Sequence, residues 1–195
     1  ADLCDHFEEC ISENRYNAEI RGPFAGKLGF VSKTYFRHHF ISLPQNSAFL
    51  LPTLNKRTVQ YSIRKSEKMG VVVRKACDRE GMEEFIRLNR LTRRKHGVPP
   101  QPDALFLGIL EHMIEKGRGC LILGYYKDKA ASGALLIKTR NTVVYKYNAS
   151  DPELLSSLSP NHIVTWHAID FSCREGARIF DFGRTDLNQE GLLRY

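Results

Sequence analysis

The sequence lacks several features that would define its structural class directly. It has no low-complexity tract and no uninterrupted apolar run near the ~18 residues of a membrane-spanning helix. Its five cysteines, at positions 4, 10, 77, 120 and 173, include no C-x-x-C pair, so no zinc ribbon is predicted. These absences argue against an integral membrane protein, a fibrous protein and a small metal-stapled domain.

The composition is that of a globular protein able to bury its own core. The 195 residues are 42% hydrophobic and 26% charged. There are 29 Lys and Arg residues against 22 Asp and Glu residues, which gives a formal net charge of +7. This excess permits nucleic acid, phosphate-bearing molecules or anionic lipid as partners without selecting one. The odd number of widely spaced cysteines predicts reduced thiols and a cytoplasmic location.

The chain divides by its sequence patterns into three parts. Residues 70–195 predict a strand, two helices, three strands, a helix, a strand and the opening of a further helix. Hairpins mixed with helical crossovers predict an α/β fold with a mixed, mostly antiparallel sheet and helices on both faces. Residues 51–69 predict a basic helix that ends at Gly70. Residues 1–50 predict mainly turns, with a short strand in RHHFISLP.

The D-F-G triplet at 181–183 has two interpretations that stay open. It occurs in protein kinases, but the sequence has no kinase glycine-rich loop or H-R-D element to accompany it. It therefore marks either a strand end with a turn at Gly183 or a functional strand end. Ligands bind beyond the carboxyl ends of strands in open α/β sheets. In the second case Asp181, Arg184 and Asp186 lie near a site.

Cations end the first predicted helix of the α/β region. Arg93, Arg94 and His96 lie in TRRKHGVPPQP, where they either complement the helix dipole or form an anion-binding loop. The histidines of the chain do not cluster, so no metal site is predicted. His162, at the start of a later helix, is a candidate ligand contact or a capping residue.

One strand carries aromatic and amide side chains together. Alternation predicts Tyr145 and Tyr147 on one face, with Lys146 on the other and Asn148 following. Cross-strand packing and the lining of a ligand slot are both open interpretations.

The order of elements resembles the GNAT acyltransferase fold, and several sequence stretches are similar to those of its FemAB-like branch. The similar stretches are KRTVQYSIRKSEKMGVVV (56–73), LTRRKHGVPPQP (91–102), YKYNAS (145–150), SPNHIVTWHAIDFSCREG (159–176) and FDFGRTDLNQEGLLRY (180–195). The resemblance implies transfer of an acyl or aminoacyl group from acyl-CoA or aminoacyl-tRNA to an amine, with a peptidoglycan precursor peptide as a candidate acceptor. It also implies tandem domains. Residues 1–50 would then be the remnant of a preceding domain, and 70–195 a GNAT-like domain that lacks its C-terminal strands.

The sequence departs from the acetyl-CoA-dependent members at one motif. Those members usually carry an RxxGxG/A loop where the helix after the three-stranded meander begins, whereas this chain has SPNHIV. The sequence therefore supports acetyl-CoA less strongly as the donor. The free N–H groups at a helix start still attract anions.

The resemblance and the strand-end positions together give a set of expected site residues. The expected catalytic residues are Asp181, Asp186 and Tyr147, with either aspartate as the base. The expected substrate-binding residues are Arg93, Arg94, His96, Asn148, Asn161, His162 and Arg184. No tightly bound cofactor is expected. The alternative is a non-catalytic GNAT-like module that binds an anionic ligand or nucleic acid.

Overall fold

The computed structural model describes residue 9 and residues 35–187 of the chain. The chain divides into two compact units, Ala1–Tyr35 and Phe36–Tyr195. The helices and strands with defined bounds belong to the second unit. Within the described residues, no helix is both long enough and apolar enough to cross a membrane.

The second unit contains a six-stranded sheet and helices on both of its faces. The strands are β1 (Phe36–Ser42), β2 (Val72–Lys75), β3 (Gly119–Tyr126), β4 (Lys129–Lys138), β5 (Thr142–Ser150) and β6 (Ile179–Asp186). The α-helices are α1 (Tyr61–Lys68), α2 (Arg79–Lys95), α3 (Asp103–Ile109), α4 (Pro152–Leu158) and α5 (Pro160–Arg174). A π-helical turn, Leu110–Ile114, continues α3.

The strand order is β1-β6-β5-β4-β3-β2, and all neighbouring strands are antiparallel apart from β5 and β6. Helices α2 and α3 cover one face of the sheet, and α5 covers the other. This architecture confirms the expected α/β fold with a mixed, mostly antiparallel sheet.

The central strands β3 and β4 are buried on both faces, as their near-continuous apolar runs require. Leu121 and Leu123 face α2, where they join a cluster with Met82 and Phe85. Ile122, between them in sequence, joins the cluster on the α5 face. The two-residue period of β3 therefore divides its side chains between two separate hydrophobic cores.

The basic helix α1 is anchored at the joint between α4 and α5. The fully buried Ser66 hydroxyl lies 2.6 Å from the Leu158 carbonyl oxygen and 3.1 Å from that of Ser159. Ser159 has a left-handed backbone, with φ of 52°, and connects the two helices. A single serine of α1 thus helps to fix the point where α5 begins.

The structure corrects two local expectations. The helix expected over 51–69 is regular only from Tyr61. Before it lie two 3-10 turns and a π-helical turn, because Pro52 falls in the second 3-10 turn and Asn55 caps the next segment. Helix α4, with Asp151 as its N-cap, was not expected. Asp103 lies in the first turn of α3 and pairs with Arg90.

The expected strand in RHHFISLP is present as β1, and it pairs with β6 at the edge of the sheet. Residues 36–42 therefore share one sheet with the rest of the second unit. The assignment of residues 1–50 to a preceding domain and the missing C-terminal strands remain predictions. The helix expected in NQEGLLRY lies outside the described residues.

Glycines on the central strands let the helices approach the sheet closely. A Cβ atom added at Gly133 would lie 2.6 Å from Leu123 Cδ2 and 2.8 Å from Phe85 Cδ2. On the opposite face, a Cβ at Gly124 would lie 2.7 Å from Val164 Cγ2. Neither position has room for a side chain without displacement of its neighbours.

We expect Gly133→Ala to lower the free energy of unfolding by about 1–3 kcal/mol, because the new methyl group overpacks the core against Phe85. Gly108→Ala is the matched control, since a Cβ there meets nothing within 4 Å. Because Gly108 lies in helix α3, that change should stabilise by up to about 1 kcal/mol. Urea denaturation measures both, and equal stability of the two variants would contradict the packing argument.

Candidate functional site

Strands β5 and β6 part shortly after they meet. Their parallel pairing covers Thr142↔Ile179, Val143↔Phe180 and Val144↔Asp181, whereas β5 continues to Ser150 and β6 to Asp186. Both strands run to the same edge of the sheet because they are parallel. The diverging segments 145–150 and 181–186 define the β5–β6 cleft, at the place where open α/β sheets bind ligands.

A bulge in β5 redirects the side chains of the cleft. Leu135 pairs with Tyr147 and Leu136 with Tyr145, so Lys146 is the extra residue. Tyr145 contacts the rings of Phe180 and Phe182 on the α5 face, with centroids 5.8 Å apart in each case. Tyr147 instead packs edge-to-face on Phe106 on the α2–α3 face, at 5.4 Å.

The expectation of one aromatic face on β5 is therefore wrong. Simple alternation would put Tyr145 and Tyr147 on the same side, but the extra residue between them reverses the pattern. Tyr147 and Asn148 point to opposite faces because they are consecutive residues of the strand, so they do not line one slot together. Tyr147 lies on the α2–α3 face, and Asn148 lies on the α5 face with Tyr145.

A second bulge, in β6, brings expected site residues onto one face. His39 pairs with Gly183 and Phe40 with Asp181, which makes Phe182 the extra residue. Gly183 has a φ of 81°, a left-handed conformation that glycine adopts without strain.

His38 lies opposite Arg184 in the register and also contacts Asp181. Asp181 and Arg184 are three residues apart, and an undistorted strand would point them to opposite faces.

His38 and Asp181 form a close pair in the cleft. The Nε2 atom of His38 lies 2.6 Å from Oδ1 of Asp181, and the backbone N–H of Gly183 donates to the same oxygen at 2.6 Å. The Asp181 side chain is 18% exposed and that of His38 is 60% exposed. The carboxylate is thus held in place while the imidazole faces solvent. A base oriented by a third group is the arrangement used in nucleophilic and acyl-transfer sites.

Sequence reasoning identified Asp181 but passed over His38. The two residues are 143 positions apart, and no local spacing connects them. The short strand RHHFISLP signalled an edge strand, but its partner strand is not encoded in any nearby motif. Only the antiparallel pairing of β1 with β6 brings the imidazole to the carboxylate.

Arg184 and Asp186 lie further along β6. The Arg184 guanidinium carbon is 4.6 Å from the centroid of the Phe36 ring, a cation–π contact. Asp186 pairs with Phe36 in the register. Arg184 is exposed, so its guanidinium is accessible to an anion from the solvent side.

A polar network lies on the α5 face of the cleft. The Asn148 amide donates to the Tyr145 hydroxyl at 2.7 Å, and that hydroxyl is 3.0 Å from Thr165 Oγ1 on α5. The buried Ser132 hydroxyl donates to Asn161 Oδ1 at 2.6 Å. These bonds tie the first turns of α5 to strands β4 and β5 and fix the orientation of both expected amides.

The basic end of α2 reaches the same edge of the sheet. The Thr92 hydroxyl donates to the Ser150 carbonyl at 3.0 Å and accepts from the Ser150 N–H at 2.8 Å. Arg93, Arg94 and His96 follow directly, with Arg93 half-buried and the other two exposed. The structure thus brings this cationic helix end to the carboxyl end of β5.

Burial lowers the pKa of His162 and of His167, both on α5. These two imidazoles therefore bind protons at a higher pH in the unfolded chain than in the folded domain. Stability is full above the ordinary value of 6.5 and declines as the pH falls from there towards the folded pKa values.

We expect the double variant His162→Gln, His167→Gln to lose less stability than the wild type when the pH drops from above to below 6.5. Chemical denaturation on each side of that pH measures the difference. His112→Gln is the control, because its side chain is 71% exposed. A double variant with the pH slope of the wild type would refute this account.

Two solved structures share this fold. The crystal structure of FemX aligns with a TM-score of 0.69 and 20% identity, over 76% of this chain and 53% of that one. L-PGS from Bacillus licheniformis aligns with a TM-score of 0.53 and 10% identity, over 81% of this chain and 51% of that one. The chain thus spans about half the length of each. No curated protein matches it by sequence.

The expected resemblance to FemAB-like GNAT proteins is confirmed for the fold by the FemX alignment. A family model described as "Acetyltransferase (GNAT) domain" matches residues 55–191. This range includes β2 to β6, both bulges and the whole β5–β6 cleft except for the contribution of β1. More than half of the sequence is matched, and the chain belongs to the acetyltransferase (GNAT) domain family.

Proposed function

We propose that the β5–β6 cleft catalyses N-acyl or aminoacyl transfer, with His38 as the base that activates the amine of the acceptor. The observation that carries this proposal is the 2.6 Å contact between His38 Nε2 and Asp181 Oδ1 at the point where the strands part. A solvent-facing imidazole held by a less exposed carboxylate suits proton transfer to and from a substrate.

In this reaction the neutral amine attacks the carbonyl carbon of a thioester or ester. A C–N bond forms, the C–S or C–O bond breaks, and the amine loses one proton. With Nε2–H directed at Asp181, the Nδ1 atom of His38 accepts that proton. Asp181 then acts as a positioning residue that fixes the tautomer and stabilises the imidazolium, instead of acting as the base itself.

Tyr147 and Arg184 receive separate roles. Tyr147 lies on the α2–α3 face, the face to which Asp181 points between the α5-facing Phe180 and Phe182. Its hydroxyl is our candidate for the group that donates a proton to the leaving group. Arg184 and Asp186 would bind charged groups of the acceptor along the exposed side of β6, with Arg184 suited to a carboxylate or phosphate.

The donor is acyl-CoA or aminoacyl-tRNA, and both are anionic. The cations at the end of α2 lie on one side of the cleft edge, and the first turn of α5 lies on the other side. Both can hold phosphates. That first turn carries Pro160, Asn161 and His162 where the acetyl-CoA-dependent pattern has glycines. The turn therefore lacks the glycines that leave backbone N–H groups open to a pyrophosphate, and we expect donor binding to rely more on Arg93, Arg94 and His96.

For the acceptor we propose the amine of a peptidoglycan precursor peptide, which the FemAB-like resemblance implies, in a cytoplasmic reaction. Strand β1 at the edge of the sheet and its neighbour β6 present His38 and Arg184 to solvent, and the half-buried Asp186 follows on β6. A bulky peptide acceptor can approach this open edge. In the alternative of a non-catalytic binding module, the oriented His38–Asp181 pair has no role.

The direct test is product formation by the full chain. The protein is incubated with an amine-bearing UDP-muropeptide and either a panel of acyl-CoAs or total aminoacyl-tRNA, and mass spectrometry detects an amide-linked product. We expect product with one donor class. Thermal stabilisation by a donor without any product would instead support the binding module.

Within that reaction, we expect His38→Gln to lower kcat by about 10²–10⁴-fold, the usual contribution of a general base. Asp181→Asn should lower it less, because asparagine still accepts from the Gly183 N–H and retains the turn. Substrate KM should change little for either variant.

His112→Gln is the matched histidine control and should retain full activity, since it lies in the π-helical turn after α3. Melting temperatures near that of the wild type would separate loss of catalysis from loss of fold. A His38→Gln enzyme with unchanged kcat would remove His38 from the mechanism.

A further inference from the structure

Two cysteines face each other between β2 and β3, with β4 between them and the strands of the β5–β6 cleft. Cys77 follows β2, and Cys120 is the second residue of β3. The β2–β3 register pairs Lys75 with Ile122, and its continuation by two residues puts Cys77 opposite Cys120. Their sulfur atoms are 3.6 Å apart. Residues directly opposite on antiparallel strands have Cα atoms ~4.5–5.5 Å apart, within the range that a disulfide spans.

The surroundings of the pair distinguish the two sulfurs. The Cys77 and Cys120 sulfurs lie within hydrogen-bond distance at 3.6 Å, and Cys77 Sγ accepts a hydrogen bond from the Leu121 N–H at 3.4 Å. The Cys120 hydrogen bond is the main cause that lowers the pKa of Cys77 to about 6. The Leu121 N–H and the nearby Lys75 ammonium lower it further, against the effect of burial. The same contact raises the pKa of Cys120.

A small cavity gives access to this pair. It has a volume of about 110 Å³, and its lining includes Cys77, Cys120, Lys75, Lys138 and Glu175. Cys77 is half-buried, whereas Cys120 is 1% exposed. Lys138 forms an ion pair with Glu175 at 2.6 Å. The other lysine of the lining, Lys75, lies two residues before Cys77 in the sequence. The space admits a molecule of a few heavy atoms and excludes a large substrate.

We propose that Cys77 and Cys120 form a modification site that small hydroperoxides oxidise to a disulfide. The Cys77 thiolate attacks the peroxide O–O bond, takes one oxygen as a sulfenic acid and releases hydroxide or alkoxide. The Cys120 thiol then attacks the Cys77 sulfur, the S–O bond breaks, and water leaves with the thiol proton. The two thiols lose two electrons in total, and the hydroperoxide gains them.

The site is independent of acyl transfer. Cys120 pairs with Leu136 of β4, which in turn pairs with Tyr145, so a whole strand separates the cysteines from β5 and β6. Oxidation joins β2 to β3 without any contact with His38 or Asp181. Failure of this proposal would leave the proposed reaction unaffected, and the reverse also holds.

The test is peptide mapping of the full chain after brief treatment with near-stoichiometric hydrogen peroxide. Remaining thiols are blocked with N-ethylmaleimide, and the protein is digested without reductant. We expect a linked peptide pair that contains Cys77 and Cys120. In Cys120→Ser the reaction should stop at a sulfenic acid on Cys77, which dimedone traps.

Cys173 supplies the internal control, because it is 5% exposed and burial raises its pKa. Cys173→Ser should give the same linked pair as the wild type. In the untreated wild type, iodoacetamide below pH 7 should label Cys77 at least about tenfold faster than Cys173, a measurement that needs no variant to fold. Equal labelling rates, or a linked pair between other cysteines, would overturn the proposal.

Discussion

The limited pairing of β5 with β6 is the constraint on which the site depends. Antiparallel pairing continues along a hairpin, but these two parallel strands meet for three residue pairs and then separate. The bulges at Lys146 and Phe182 lie just beyond that meeting point, one on each strand. Strand divergence opens the space, and the bulges decide which side chains face it. The glycines of β3 and β4 let the flanking helices pack tightly enough to hold this arrangement.

Polar groups at the cleft are held by different means on the two faces. On the α5 face, the hydroxyls and amides bond mainly to one another, so the network fixes the helix start and leaves little freedom for its side chains. On the other face, the Asp181 carboxylate is fixed while His38 stays accessible. The first arrangement suits a rigid wall, and the second suits a group that exchanges a proton with a substrate.

Local sequence patterns were sufficient to predict most of the helices and strands, but they were not sufficient to predict the site. The order of strands and helices expected for residues 70–195 follows from such patterns, among them the valines of β2, the 3.6-residue period around Met82 and Phe85, and Pro160 at the first turn of α5. The two bulges could not be predicted, because an extra residue is defined only against a partner strand. The same holds for His38 and for Cys77 beside Cys120, whose partners are distant in sequence. The family match confirmed the fold class and the acyltransferase family, while the roles of individual residues remain proposals.

The position of β1 has a consequence for how the domain matures. Its pairing with β6 joins residues about as far apart as the second unit allows, from Phe36↔Asp186 to Ser42↔Ile179. Closure of so long a loop is slow compared with the formation of the local β3–β4–β5 meander. During synthesis on the ribosome, β1 must wait until β6 has emerged. The domain therefore acquires its shape early and its paired imidazole and carboxylate last.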